Sequence, residues 1–329
     1  MKNAYQVYGT PASPFSMKLR GAFRAKRLPM IFRYMTPENR GKVFPNVRVP
    51  VIPIVQFPDG EWHNDSTPLL IGLEGEGRSI LPPDPAARFA CLLLEDMADE
   101  WFMKAMFHFC WGDEAGGRIM ARYLAFDSFP NGGADTLASG TEQLYAWQNS
   151  RHAMVGTVPE SYPALVQSFR GMIDALEDMA IGPTHFLFGD RPSLADMAFY
   201  GPLAPLDWAP EGRAYLMEHA PTLHRWILHA DDASGIEGEW TAGLSEPVKT
   251  LLSIAGRDYL PFLMANAGAR EAGDKTMSVE LDGGTFVQQA VGYQAKCLIR
   301  LRSEWAELEG DIRSELAGII GSNARALEA

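Results

Sequence analysis

Cysteine is scarce in this chain. Cys91, Cys110 and Cys297 are far apart, odd in number and in no paired spacing, which argues against a disulfide framework and against a zinc knuckle. They read as small buried apolar residues. Long apolar runs are missing as well: nothing approaches the roughly 18 uninterrupted residues of a membrane span. The start, Met1-Lys2-Asn3-Ala4-Tyr5, lacks the basic-then-apolar layout of a signal peptide. A cytoplasmic protein with no membrane partner is expected. Positive charge is in deficit, 29 Lys/Arg against 41 Asp/Glu for a net charge of −12, so binding nucleic acid by phosphate neutralisation is disfavoured. The common catalytic signatures are absent too: no Gly-x-Ser-x-Gly, no phosphate loop ending in Lys-Ser/Thr, no dinucleotide fingerprint and no His-Glu-x-x-His. His219, His224 and His229 fall five apart, which does not stack them on one helical face. They read as scattered histidines, and no metal is expected.

What is present is a chain of 329 residues, 47% hydrophobic and 21% charged, enough for two well-filled domains or two plus an appendage. The charge is unevenly spread. Residues 1–60 carry ten Lys/Arg against only Glu38 and Asp59, a local balance of +8 that leaves −20 for the rest. Those cations read as a solvated face or as one that meets an acidic neighbouring domain, and they could also attract a small anion.

The first eighty residues alternate strand and helix signals. Tyr5 to Thr10 is a β-type run, and Pro11-Ala12-Ser13-Pro14 announces a helix start, with Ser at an N-cap and Pro at the first helical position. Phe15, Leu19 and Phe23 then recur every four residues. Met30 to Met35 reads as a second strand, parallel to the first if the helix is a right-handed crossover. Thr36 to Pro50 gives no clear element. Two short strands flank the turn Pro58-Asp59-Gly60, and Asp65-Ser66-Thr67 can cap a helix over Leu69 to Glu76. A small mixed sheet with helices is predicted for 1–82.

Pro82-Pro83-Asp84-Pro85 reads as a semi-rigid linker, and helical periodicity dominates an all-helical domain over 86–235, with Gly116-Gly117 and Asn131-Gly132-Gly133 as interhelical loops. Within it, Phe102, Met103, Met106, Phe107, Phe109 and Trp111 read as core rather than as the floor of a ligand pocket. An α+β extension over 236–329 follows, with a hairpin about Asp282-Gly283-Gly284 and one long helix. That helix carries Leu298, Leu301, Trp305, Leu308, Ile312, Leu316 and Ile319 as a stripe. The stripe must pack on the helical domain or on a second subunit.

Three features of the first domain, taken together, resemble the glutathione S-transferase family. Tyr8-Gly9-Thr10-Pro11-Ala12-Ser13-Pro14 is similar to the strand-to-helix turn where serine-type members hold their catalytic hydroxyl, and Ser13 falls on that position. Val51-Ile52-Pro53-Ile54 is similar to the family's segment in which a cis proline opens strand three and the preceding residue pairs its backbone with glutathione. Asp65-Ser66, twelve residues beyond Pro53, has the spacing of the pair that holds the γ-glutamyl end. In the second domain, Gly189-Asp190-Arg191-Pro192-Ser193-Leu194-Ala195-Asp196 is similar to a family helix start, with Ser193 and Asp196 fitting a reciprocal cap. The resemblance spans about residues 5–235. It implies a thioredoxin-like domain joined to an all-α domain, glutathione as co-substrate, an apolar electrophile and a homodimer.

Under that resemblance Ser13 stabilises the thiolate, Ile52 and Pro53 align the cysteine, and Asp65 with Ser66 anchors the γ-glutamyl group. Each residue also has a plain reading: Ser13, Asp65 and Ser66 as helix caps, Pro53 as a strand-start proline. Tyr8 is the rival hydroxyl, and Ser13 is preferred because the Ser-Pro start fixes its geometry. No thiol lies at the first helix turn, so thiol reductase chemistry through a mixed disulfide is disfavoured, while conjugation, isomerisation and peroxide reduction stay open. Arg40 and Lys42 are candidates for the glycyl carboxylate. The competing class is a binding or assembly protein that keeps the fold without turnover. Its support is the extra segment, Pro68 so close to the anchor, and the irregular Thr36–Pro50 stretch.

Overall fold

A computed structural model describes residues 3–328. Its first part contains β1 (Tyr5–Gly9), α1 (Pro14–Ala25), β2 (Met30–Tyr34), α2 (Pro37–Val43), β3 (Ile54–Gln56), β4 (Trp62–Asn64) and α3 (Ser66–Gly72). The strands pair in the order β2-β1-β3-β4, with β1 and β2 parallel across the α1 crossover and the other pairs antiparallel. This is the small mixed sheet that the sequence predicts. Two details differ. Thr36–Pro50 contains α2, capped by Thr36 on the Asn39 N–H, a seven-residue helix too short to show periodicity. The helix after β4 begins at Ser66 and ends at Gly72, three residues earlier at its start than expected.

The helical part contains α4 (Pro85–Met97), α5 (Met103–Trp111), α6 (Glu114–Ser128), α7 (Gly133–Asn149), α8 (His152–Val155), α9 (Tyr162–Ile181), α10 (Leu194–Trp208), α11 (Pro210–His219) and α12 (Pro221–Asp231). Gly116 and Gly117 are not a loop but the first turn of α6. Side chains there would press on the capping Asp113 carboxylate at 2.6 Å and the Tyr145 ring at 2.9 Å. The reciprocal cap is present at the start of α10: Asp196 N–H donates to Ser193 Oγ, and Ser193 N–H donates to Asp196 Oδ2 at 2.8 Å. Phe102, Phe107, Phe109 and Trp111 are buried in the core, as the sequence suggests.

The remainder contains α13 (Glu246–Ile254), α14 (Leu260–Ala272), the hairpin β5 (Thr276–Leu281) and β6 (Gly284–Gln289), α15 (Gly292–Ala306) and α16 (Gly310–Ile320). The expected long helix is therefore two. The apolar spacing runs on across the break because both helices bury one face, Leu298, Leu301 and Trp305 on α15 and Leu316 and Ile320 on α16. The stripe finds its cover inside the chain: Leu298, Leu301, Trp305 and Leu316 are buried, and Trp305 meets Phe89 of α4 with ring centroids 5.0 Å apart. Elsewhere in the extension, Phe262 of α14 and Phe286 of β6 meet Trp101 at 5.1 and 4.9 Å. One continuous apolar core runs from Tyr5 to Leu327, with a small satellite of Tyr8, Met35, Val43 and Ile54 on the sheet. Cys91, Cys110 and Cys297 are all buried. Among the described residues no helix is long and apolar enough to cross a membrane.

The basic first domain is answered by acids elsewhere. Arg20 and Arg24 of α1 pair with Asp231 at the end of α12, and Arg27 pairs with Glu237. Part of the local positive balance is thus an interdomain seam.

Candidate functional site

Sheet register brings the three sequence features to one edge. Tyr8 of β1 lies opposite Ile54 of β3, and Ile54 lies opposite Asn64 of β4. Continuing both antiparallel ladders by one residue sets Pro53 beside Gly9 on one side and Asp65 on the other. The turn leading to Ser13 follows directly from Gly9.

Ser13 is the N-cap of α1, in extended backbone conformation, and its Oγ accepts the Ser16 N–H at 3.4 Å. Its own N–H donates to the Thr10 carbonyl at 3.0 Å. Capping uses the oxygen as an acceptor and leaves the hydroxyl proton available to a ligand. The side chain is half-buried. Tyr8, by contrast, is 1% exposed and packs against Trp62 in the satellite cluster. Across the turn stands a residue that sequence reasoning missed. Asp127 of α6 accepts the Thr10 hydroxyl at 2.6 Å, tying the helical domain to the loop that sets Ser13. Burial raises the Asp127 carboxyl above its ordinary value, against the pull of the Thr10 hydroxyl.

Ile52–Pro53 is a cis peptide, with Pro53 buried immediately before β3. Asp65 occupies the N-cap position of α3 with φ of 74°, yet its carboxylate makes no capping bond. Instead Oδ1 accepts the hydroxyl of Tyr293, on the first turn of α15, at 2.8 Å. Burial, then the neighbouring Asp65 charge, raise the Tyr293 phenol well above its ordinary value, so it remains a donor. Ser66 is buried. Arg40 and Lys42 lie exposed on α2.

Beneath Ser66 sits an ionic layer. Lys18 of α1 is fully buried, and its Nζ donates to Thr67 Oγ1 at 3.1 Å and Asp99 Oδ2 at 2.5 Å and pairs with Glu95. Burial alone would lower its pKa, but Asp99 and Glu95 outweigh it and hold the ammonium above its usual value. Arg300 of α15 joins from the other side, meeting Glu95 at 3.3 Å and pairing with Asp96. Burial pushes the Asp99 carboxyl up to about 7 despite Lys18.

Beside the Ser13 turn opens an apolar cleft of about 530 Å³, lined by Pro11, Ile119, Tyr123, Phe126, Asp127, Trp208, Pro210 and Arg213. Ile119, Tyr123 and Phe126 form a second apolar stripe on α6 at spacings of four and three, and all three are exposed. A helix that buries Met120, Ala121 and Leu124 while leaving such a stripe in water carries the signal of this cleft. A second cleft, of about 540 Å³ and including Arg302, Trp305 and Arg313, lies within the extension and shares no residue with the site.

A parallel βαβ start, an antiparallel hairpin entered by a cis proline, and a following helical bundle define the class: a thioredoxin-like domain joined to an all-α domain, the glutathione S-transferase architecture, with an added extension. Residues 159–229 match the family model described as the glutathione S-transferase C-terminal domain, so the resemblance to that family holds. Solved structures similar to this chain include the β-etherase LigF from Sphingobium sp. strain SYK-6. It is 15% identical, covers 75% of this chain and 98% of its own, and has a TM-score of 0.45. A glutathione S-transferase from Methylobacterium radiotolerans JCM 2831, in complex with glutathione sulfonate, is 17% identical, covering 74% and 100%, at 0.43. A glutathione S-transferase from Rhodospirillum rubrum F11 is 18% identical, covering 75% and 91%, at 0.43. No curated protein matches the chain.

Proposed function

We propose that the chain is a serine-type glutathione transferase that binds glutathione along the edge formed by the Ser13 turn, Ile52–Pro53 and Asp65–Ser66, and joins it through its sulfur to an apolar electrophile. The observation that carries this reading is the convergence of those three sequence features on one sheet edge, next to an apolar cleft that shares the Pro11–Asp127 wall. Ile52 offers its backbone to the cysteine, and the Asp65 carboxylate and Ser66 hydroxyl hold the γ-glutamyl end. A free thiol of pKa near 8.5 is only about 3% ionised at pH 7, and lowering that value by about two units requires roughly 2.7 kcal/mol in favour of the anion. The Ser13 hydroxyl and the opening amides and dipole of α1, a twelve-residue helix, supply donors for it. The S–H bond breaks with loss of its proton to water, and the thiolate forms a C–S bond to an electrophile held in the cleft, as halide leaves from an aryl halide or as the C=C bond of an enone breaks and its α-carbon takes a proton from water. Ser13 is favoured over Tyr8 by its accessibility.

Glutathione is the co-substrate in this reading, and the three parts 1–82, 86–235 and 236–329 are its thiol-peptide domain, its electrophile domain and a buttress. The homodimer is proposed from the resemblance alone, since the apolar stripe that could have marked an interface is covered within the chain. A calorimetric titration with glutathione tests the reading: the wild-type chain should bind with a Kd at or below about 1 mM, and should conjugate members of a panel of aryl halides and enones. The second reading, a binding or assembly protein without turnover, draws on the contact of the extension with Asp65. Absence of glutathione binding at millimolar concentration would favour it.

A further inference from the structure

The extension does more than cover α4: it reaches the candidate glutathione site. α15 is fixed on the helical domain by Arg300, which meets Glu95 and Asp96, and by Gln294, whose Nε2 donates to Glu100 Oε2 at 3.1 Å. Tyr293 lies seven residues before Arg300, two helical turns away on the same face. Its O–H donates to Asp65 Oδ1 at 2.8 Å. Asp65 is the residue whose carboxylate, although at an N-cap position, makes no capping bond to the helix it precedes. A carboxylate has lone pairs on both oxygens, so a single donor on Oδ1 leaves Oδ2 able to accept a further hydrogen bond, as from an ammonium. Tyr293 is 40% exposed, and the extension is already held in place by Arg300 and by the buried Leu298, Leu301 and Trp305.

We propose that Tyr293 is a positioning residue of the glutathione site, supplied by the C-terminal extension: its hydroxyl fixes the Asp65 carboxylate through Oδ1 so that Oδ2 accepts the α-ammonium of the γ-glutamyl group. The inference rests on the reading of Asp65 as that anchor. It makes the extension a determinant of selectivity for thiol peptides that carry a free α-amino group.

The test compares two ligands on the full chain by calorimetry: glutathione, and glutaryl-cysteinyl-glycine, the same peptide lacking only the α-amino group. Tyr293→Phe keeps the ring and removes the hydroxyl. The variant should bind glutathione about tenfold more weakly, because an Asp65 carboxylate released at Oδ1 must be ordered when the ammonium binds, and bind the deamino peptide as the wild type does. Its thermal unfolding midpoint should be unchanged, and Asp65→Asn should show the same selective loss. Equal weakening for both peptides would reduce Tyr293 to a structural contact, and no weakening, or tighter glutathione binding, would make it a bystander or a block; each overturns the proposal. A wild-type chain that binds neither peptide overturns the anchor reading itself, and with it this inference.

Discussion

At the scale of single residues the chain concentrates ionisable groups where they are costly. Glu95, Asp96, Asp99 and Glu100 are all buried at the junction of α4 with the π-helical turn Ala98–Phe102, and the first three are paired with Lys18 or Arg300. Such groups are stable only when paired or neutralised. Glu100 takes the second course: burial, with Asp96 nearby, pushes its carboxyl from 4.5 up to about 8 even though Lys104 pulls the other way. An acid raised in this way keeps its proton in the folded chain over a range in which the unfolded chain has lost it. Its contribution to stability is complete below pH 4.5 and is lost as the pH rises through about 8. The urea midpoint of the wild type should therefore fall more between pH 5 and pH 8 than that of Glu100→Gln, which cannot titrate and can still accept from Gln294. Parallel pH dependence of the two proteins would show that Glu100 is ionised throughout.

At the scale of elements the site depends on how closely α1 lies on α10. Gly201 of α10 touches the start of α1, and a side chain there would meet the Pro14 carbonyl at 2.6 Å and Lys18 Cβ at 3.0 Å. The nearest obstacle is backbone, so α1 must move, and Ser13 sits one residue before Pro14. Gly201→Ala gains up to about 1 kcal/mol of helix propensity and loses about 1–3 kcal/mol to overpacking. A net destabilisation in urea unfolding is expected, together with weaker glutathione binding. Unchanged affinity would mean that α10 does not set the Ser13 turn. The elements that were legible in the sequence are those with local chemistry: the Ser-Pro start of α1, the Pro-Asp-Gly turn, the Ser193–Asp196 cap and the Asp-Gly-Gly hairpin. The short α2 has no period to read, and the α15–α16 break hides behind an apolar spacing that both helices share. Asp127 and Tyr293 were illegible because their partners, Thr10 and Asp65, lie more than a hundred residues away in sequence. No local pattern encodes such a meeting.

At the scale of the whole molecule, three sequence regions share one core and one site. The basic seam of α1 closes on α12 through Asp231, Asp127 of α6 braces the Ser13 turn, and α15 reaches Asp65. The sheet edge is thereby held from two sides, which under the proposed function preorganises donors for a sulfur anion. That anion is the central claim, and the thiol pKa of bound glutathione tests it most directly, followed by ultraviolet thiolate absorbance across a pH titration with saturating ligand. In the wild-type chain the bound thiol should ionise about two units below the free thiol, and in Ser13→Ala it should return most of the way to the free value while glutathione still binds. A bound thiol that titrates like free glutathione in the wild type, or equally low in both proteins, would contradict stabilisation of the thiolate by the Ser13 hydroxyl.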